Sequence, residues 1–197
     1  MATVDHDVLG YWSRVETWLT AHARQGMARP IPDAARLDAF EADLGLPLPA
    51  DLRAWWLLPG VSAECWIPDG FAPVSLHEAL EIHEIWLLVA EQEGESFDKN
   101  GLPEPRYRRE FMPIALSPGG DGLIVDTRPG DTCGSVYLWD HETWILDVPR
   151  WSSVTAMLQD IAHALEAGTP ASQSHAALGG SRRVGTAAVD GVLGPTR

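Results

Sequence analysis

The stretch Phe111–Asp147 reads FMPIALSPGGDGLIVDTRPGDTCGSVYLWDHETWILD and decides the fold of this chain. Three apolar runs, 112–116, 123–126 and 136–140, are separated by clusters of Gly, Pro and Asp, and 144–148 is a candidate fourth run. Glycine allows positive φ and proline presets a turn, so short β-branched and aromatic runs between such clusters are typical of antiparallel strands. The stretch therefore predicts an antiparallel meander.

The third run carries large side chains on both of its faces. Val136 and Leu138 alternate with Tyr137 and Trp139, and successive side chains of a strand point to opposite faces of the sheet. This pattern indicates a strand that is covered on both sides. We expect one core to contain Trp139, Val136, Ile114, Leu52 and Leu158.

Helical periodicity precedes the meander. Apolar residues at helical spacing predict a first helix over 7–23, with Asp7 as its N-cap. A second helix is predicted between Asp33 and Gly45, where glycine ends it, and a short third helix over 50–58. The tryptophans of this third helix are expected to lie in the core.

Further elements lie on either side of the meander. The pattern Ser75-x-x-Glu78 is a capping box that predicts the start of a fourth helix. Its end, 85–90, is apolar all round, which indicates either full burial or a strand. Ser152 or Ser153 is expected to cap a last helix.

The connecting segments give weaker signals. Short strands are predicted over 65–68 and 71–74, and an exposed loop over 91–109. Together these elements predict an α+β fold in which helices cover an antiparallel sheet. The chain is divided into an N-terminal helix and linker over 1–32, one domain over 33–167 and a disordered tail over 168–197, because the tail is small, polar and rich in glycine.

Composition and charge limit the possible functions. The chain has 28 acidic residues against 14 basic ones, a net charge of −14. Such a charge repels nucleic acid and anionic membranes and attracts basic partners, although solubility alone is the simpler interpretation and the count by itself does not decide between them. The sequence has neither a run of 18 apolar residues nor a basic N-terminal region, so we expect a cytoplasmic protein with Cys65 and Cys133 reduced.

Motifs for catalysis or cofactor binding are weak. Neither cysteine has a local signature of a nucleophile, and the glycines of Ser-Pro-Gly-Gly-Asp-Gly (117–122) stand between two strands, where a hairpin turn explains them. His77, Glu81 and Glu84 would share one helix face as metal ligands, but a solvated polar face is the simpler interpretation. His83 is expected to be a hydrogen-bonded core histidine. We therefore predict no metal and no cofactor.

Five motifs follow one another in a recognisable order. They are LDAFEADLGLPLPADLRAWW (37–56) with Gly60 behind it, PVSLHEAL (73–80), MPIALSPGGDGLIVDT (112–127), GSVYLWDHE (134–142) and SSVTAMLQDIAHAL (152–165). In this order they resemble the SUKH superfamily, in its Smi/Knr-like branch. The positions that carry the resemblance are Trp55, Trp56, Gly60, Pro113, Gly119, Gly120, Asp121, Gly134, Trp139 and Ser152.

The resemblance implies a non-enzymatic α+β domain that binds another protein. In bacteria such domains look like immunity proteins that neutralise polymorphic toxins, often nucleases, whereas in fungi they are signalling scaffolds. A regulatory or scaffolding role for an endogenous partner is the alternative, and a metal-dependent hydrolase is a remote one. If the partner is a basic toxin, we expect contacts from Asp121, Asp126, Asp131, Glu91, Glu93 and Glu95.

Overall fold

The computed structural model describes residues 6–22, 34–58, 65–94, 96–97, 103–104, 107–144, 146 and 148–171. Its helices are α1 (His6–Ala21), α2 (Ala34–Leu44), α3 (Ala50–Trp56), α4 (Leu76–Glu93) and α5 (Val154–Ala167). Its strands are β1 (Ala72–Pro73), β2 (Ser96–Phe97), β3 (Pro103–Glu104), β4 (Phe111–Leu116), β5 (Gly122–Asp126) and β6 (Val136–Trp139). Within these described residues, no helix is long and apolar enough to cross a membrane.

The predicted meander forms the main sheet, and the predicted α+β class is confirmed. Four antiparallel strands follow the order β1-β4-β5-β6, while β2 and β3 pair separately. Phe111 lies opposite Asp126 in the register of β4 and β5, and Gly122 lies opposite Trp139 in that of β5 and β6. The register of β4 shifts after Pro113, which marks a bulge. Along the free side of β6, single bridges join Val136 to Trp151 and Trp139 to Leu146.

The sheet separates two clusters of buried side chains. The larger cluster combines Val125, Val136 and Ile114 with apolar residues of all five helices, among them Leu52 and Leu158. The smaller cluster lies on the other face and contains Tyr107, Phe111, Ile124, Tyr137 and Trp139, with Trp86 and Trp144 packed against it. The prediction of coverage on both faces is therefore confirmed. The assignment of Trp139 to the same core as Val136 is wrong, because residues three apart in a strand face opposite ways.

Helix ends follow the local signals, with one correction at the start of α1. Gly45 adopts φ 75° just after α2, as a C′ glycine does. The capping box of α4 is complete, since Ser75 accepts from the Glu78 amide and the Glu78 carboxylate accepts from the Ser75 amide. For α5 the capping residue is Ser153, whose Oγ accepts from the Ala156 amide, and Ser152 is exposed. Asp7 lies within the first turn of α1 and is not its cap.

Other predicted segments differ from the structure. Residues 85–90 form neither a strand nor a fully buried helix end, because they continue α4 with one face in solvent. Within the candidate strand over 144–148, Leu146 forms a single bridge to Trp139, and residues 145 and 147 lie outside the described residues. The segment 65–68 is not a strand either, since Ile67 only bridges to Phe71 across a 3₁₀ turn, whereas β1 confirms the strand predicted over 71–74.

Both ends of the described chain pack on α5. Helix α1 lies against it, with Val8, Trp12 and Val15 in the larger cluster and an ion pair between Arg14 and Glu166. After α5 the chain turns at Gly168, and Ala171 is buried. The start of the predicted tail is therefore packed against the domain. The rest of that prediction, residues 172–197, lies outside the described residues.

Candidate protein-binding surface

Five of the seven arginines that the structure describes form ion pairs with carboxylates of the domain itself. The ion pairs join Arg14 to Glu166, Arg53 to Asp38 and Glu41, Arg109 to Asp43, Arg128 to Asp126 and Arg150 to Asp69. Other carboxylates are exposed and make no ion pair within the described residues: Glu16, Glu84, Glu91, Asp131 and Glu142. The excess of negative charge is therefore displayed at the surface.

Asp126 is fully buried and belongs to the structure of the sheet end, not to a contact surface. Its carboxylate accepts hydrogen bonds from Nε and Nη2 of Arg128 at 2.9 and 2.7 Å and from the Thr132 hydroxyl at 2.9 Å. Burial alone would raise the pKa of Asp126, but these hydrogen bonds outweigh it and lower that pKa. The prediction that Asp126 contacts a partner is not supported by this position.

Asp121 lies in the turn between β4 and β5 and holds it to the end of β6. The turn closes through the Ser117 amide, which donates to the Asp121 carbonyl at 2.8 Å. Oδ1 of Asp121 accepts from Nδ1 of His141 at 2.8 Å, and this hydrogen bond is the main cause that raises the pKa of His141. Both side chains are about two-fifths exposed, so the Asp121 carboxylate remains accessible to a partner.

The next turn, after β6, adds further carboxylates beside His141. Asp140 accepts from the amides of Glu142 and Thr143 at 2.8 and 2.9 Å, and the hydrogen bond from Thr143 is the main cause that lowers the pKa of Asp140. Glu142 itself is exposed. These turns therefore place three carboxylates, those of Asp121, Asp140 and Glu142, at one end of the sheet.

Aromatic rings lie at the same end of the sheet. Trp139 packs between Trp86 at 4.0 Å and Trp144 at 5.0 Å between ring centroids, and the two outer rings are partly exposed. The indole of Trp86 covers the backbone of Gly122, where a Cβ would come 2.6 Å from it. The sequence offered one signal for this contact, a glycine at the start of a strand, which often marks a close approach of another group.

The remaining predicted contact residues lie elsewhere. Asp131 is exposed beyond the opposite end of β5, and four steps along a strand put the two ends about 14 Å apart. Glu91 and Glu93 are exposed in the last turn of α4, and Glu95 lies outside the described residues. The structure thus distributes these carboxylates over three places.

The positions that carry the family resemblance are mainly structural. Trp55 and Trp56 are buried, Gly119 and Gly120 form the turn before Asp121, and Gly134 is buried just before β6. Gly60 lies outside the described residues.

Metal-ligand geometry is poor on α4. Nε2 of His77 lies 3.5 Å from Oε1 of Glu81, and Glu84 forms no group with them. In the described part of the chain, Asp121, Asp140 and His141 offer atoms within 4.8 Å of one another. The hydrogen bonds of Asp121 with His141, and of Asp140 with the amides after it, already explain why these side chains lie close together.

His83 is the core histidine that the sequence predicts. Its Nδ1 lies 3.0 Å from the Phe111 carbonyl oxygen and 3.1 Å from the Tyr107 hydroxyl. Burial is the main cause that lowers the pKa of His83, so the neutral imidazole is favoured.

The comparison with protein families identifies the fold. Residues 31–160 match the SMI1 / KNR4 family (SUKH-1). The chain belongs to this family. The matched SUKH region contains the whole main sheet and most of the residues around it, while α1 lies before the match and the end of α5 after it. No curated protein matches this SUKH chain.

Proposed function

We propose that this SUKH domain is an immunity protein that neutralises a bacterial polymorphic toxin by binding it through an acidic surface. The domain performs no chemistry and needs no cofactor in this proposal. It acts in the cytoplasm, where a delivered toxin would reach its target. Membership of the SMI1 / KNR4 family supports a protein-binding role.

One observation carries the proposal beyond the family: five of the seven described arginines form ion pairs within the domain, while several exposed carboxylates make no ion pair with any described residue. An enzyme that binds phosphate, such as a nuclease, carries positive charge around its site. A surface of unneutralised carboxylates complements that charge and disfavours nucleic acid itself. A basic nuclease toxin is therefore the partner that this charge distribution fits best.

The residues proposed to contact the toxin are the exposed members of the predicted set. Asp121 stands on a turn that is fixed to a rigid sheet, and Glu91 and Glu93 stand on a helix, so little ordering is required on binding. Asp131 and Glu95 remain in the proposal as further contacts. Asp126 is excluded because Arg128 and Thr132 occupy its buried carboxylate.

The test measures association rates between this domain and the purified product of the gene adjacent to its own across a salt series. Electrostatic steering should raise the association rate roughly 10- to 1,000-fold at low salt and fade as the Debye length shortens. Asp121→Asn and Glu91→Gln should each slow association at low salt. Glu16→Gln removes the same charge from α1 and is the matched control.

Two results would contradict the proposal. The absence of binding would remove the immunity role and favour a regulatory domain with an endogenous partner. An association rate that responds neither to salt nor to Asp121→Asn and Glu91→Gln would show that the acidity serves solubility alone.

A further inference from the structure

Helix α4 has one packed face and one face left in solvent. Leu76, Ala79 and His83 are buried on the packed face. On the other face the side chains of Ile85 and Leu88 are 58% and 54% exposed. Single exposed aliphatic residues are common on protein surfaces. Two of them three positions apart on one helix form a continuous apolar spot, because residues at this spacing are neighbours.

Glutamates surround this apolar spot. Glu81 lies one turn before Ile85, Glu84 lies one turn before Leu88, and Glu91 follows Leu88 by three positions. All three glutamates are exposed. An apolar centre within a charged rim is the arrangement of a protein interface, in which a few central residues carry most of the binding energy.

The last turn of α4 carries charges that oppose its own stability. The C-terminal end of a helix has a partial negative charge, so basic residues are favoured there. Here the last turn holds Glu91 and Glu93 and no basic residue. Residues that destabilise the element in which they lie are expected mainly at functional sites. A lysine or arginine of a partner placed at this end would be attracted both by the glutamates and by the helix.

The position of α4 is fixed by its capping box and by contacts with the sheet. Ser75 and Glu78 complete its capping box, His83 lies 3.0 Å from the Phe111 carbonyl oxygen, and the indole of Trp86 rests against Gly122. A face fixed at its start and its middle loses little conformational freedom when it is covered, which favours binding.

We propose that this outward face of α4 is where the domain docks its basic partner, with Ile85 and Leu88 as the apolar anchor and Glu81, Glu84 and Glu91 as the acidic rim. The inference rests on the function proposed above and names the surface that performs it. The occupant is a basic face of the toxin that also presents an apolar group. A second copy of this chain is a poorer occupant, because its own glutamates would meet those of the first copy.

The experiment compares two double variants that each remove two exposed apolar side chains. Ile85→Ala with Leu88→Ala removes the anchor, and Phe97→Ala with Val148→Ala is the control, since those side chains are 59% and 74% exposed. All four side chains are largely in solvent, so both double variants should keep the melting temperature of the wild type. The probe is the purified product of the gene adjacent to the one that encodes this domain.

Loss of the anchor should accelerate dissociation of the complex by about 10- to 100-fold, as for residues at the centre of an interface. The association rate and its salt dependence should change little, because the charges remain. The control variant should dissociate like the wild type. This difference between the two double variants would support the α4 surface.

Other results separate this inference from the proposed function. Equal dissociation rates for the two double variants, with the wild type still binding, would overturn the α4 surface and leave the immunity role standing. Failure of the wild type to bind would overturn both. Sedimentation of the domain alone supplies a further check. A wild-type dimer that the Ile85→Ala, Leu88→Ala variant breaks would assign this face to a second copy and overturn the toxin as its occupant.

Discussion

Trp86 occupies the space that any side chain on Gly122 would need. A Cβ at Gly122 would lie 2.6 Å from Cη2 of this indole. The ring has little freedom to move away, since it packs on Trp139 at 4.0 Å and on Tyr107 at 5.3 Å between centroids. The contact joins α4 to the second face of the sheet, beneath the Asp121 turn.

Gly122→Ala is therefore expected to destabilise the domain by roughly 1–3 kcal/mol, the usual effect of overpacking a filled core. Urea unfolding measures the change. Gly119→Ala is the control, because a Cβ there meets the Ser117 Oγ at 3.6 Å, an ordinary contact. Equal stability of the two variants would show that the Trp86 ring can move away from the new Cβ at little cost in free energy.

Trp139→Ala should lower the free energy of unfolding by about 3–5 kcal/mol, since it removes the central ring of the smaller cluster. Trp18→Ala removes an indole from a partly exposed position and should have a smaller effect. Thermal and urea unfolding of both variants measure the difference. A Trp139→Ala variant as stable as the wild type would refute its place at the centre of that cluster.

Asp126→Asn should destabilise the domain at neutral pH by about 1–3 kcal/mol, because Arg128 loses its charged partner. The pKa of the folded-state carboxyl is lowered, so its stabilising effect is present above the unfolded pKa of about 3.9 and is lost as the pH falls through the folded value. Urea unfolding between pH 3 and 7 should show that the difference in the free energy of unfolding between wild type and variant becomes smaller at acidic pH. A difference in the free energy of unfolding that stays constant over this pH range would contradict a stabilising ion pair between Asp126 and Arg128.

His141 should titrate above the ordinary histidine pKa, because its ring donates to Asp121. A raised pKa in the folded state means that the pair stabilises the turn fully below about pH 6.5 and loses this effect as the pH rises through the folded value. NMR of the imidazole follows the titration directly. Asp121→Asn should lower the midpoint more than Glu142→Gln does, and equal effects would contradict the hydrogen bond.

Local signals predicted most of the fold. The strands follow from turn chemistry around apolar runs, and the start of α4 follows from a capping box, because in both cases the determining atoms lie within four residues of one another. The two clusters were harder to separate. Hydrophobicity alone groups Trp139 with Val136, whereas strand alternation places them on opposite faces.

The candidate surface depended on contacts that no local pattern records. Asp126 stands at a turn, where acidic residues are usually exposed. Only the fold shows that its carboxylate is fully buried and accepts from the Thr132 hydroxyl, six residues away, as well as from Arg128. Ile85 and Leu88 were predicted to be buried or to form a strand, because an apolar run does not reveal how much of a helix its neighbours cover. Which face of α4 meets the sheet is decided by distant partners such as Gly122 and Phe111.

The borders of the sheet limit how a partner can be held. At one border stands β1, two residues long and ending in Pro73, which has no amide hydrogen to offer. At the other, the bridges of β6 to Trp151 and Leu146 already occupy its outward positions. Among the described residues, the borders of the main sheet therefore offer no long row of free peptide groups to an added strand from a partner. Short or occupied borders of this kind also oppose aggregation through edge-to-edge pairing of sheets. A partner that binds at the main sheet is therefore expected to contact side chains.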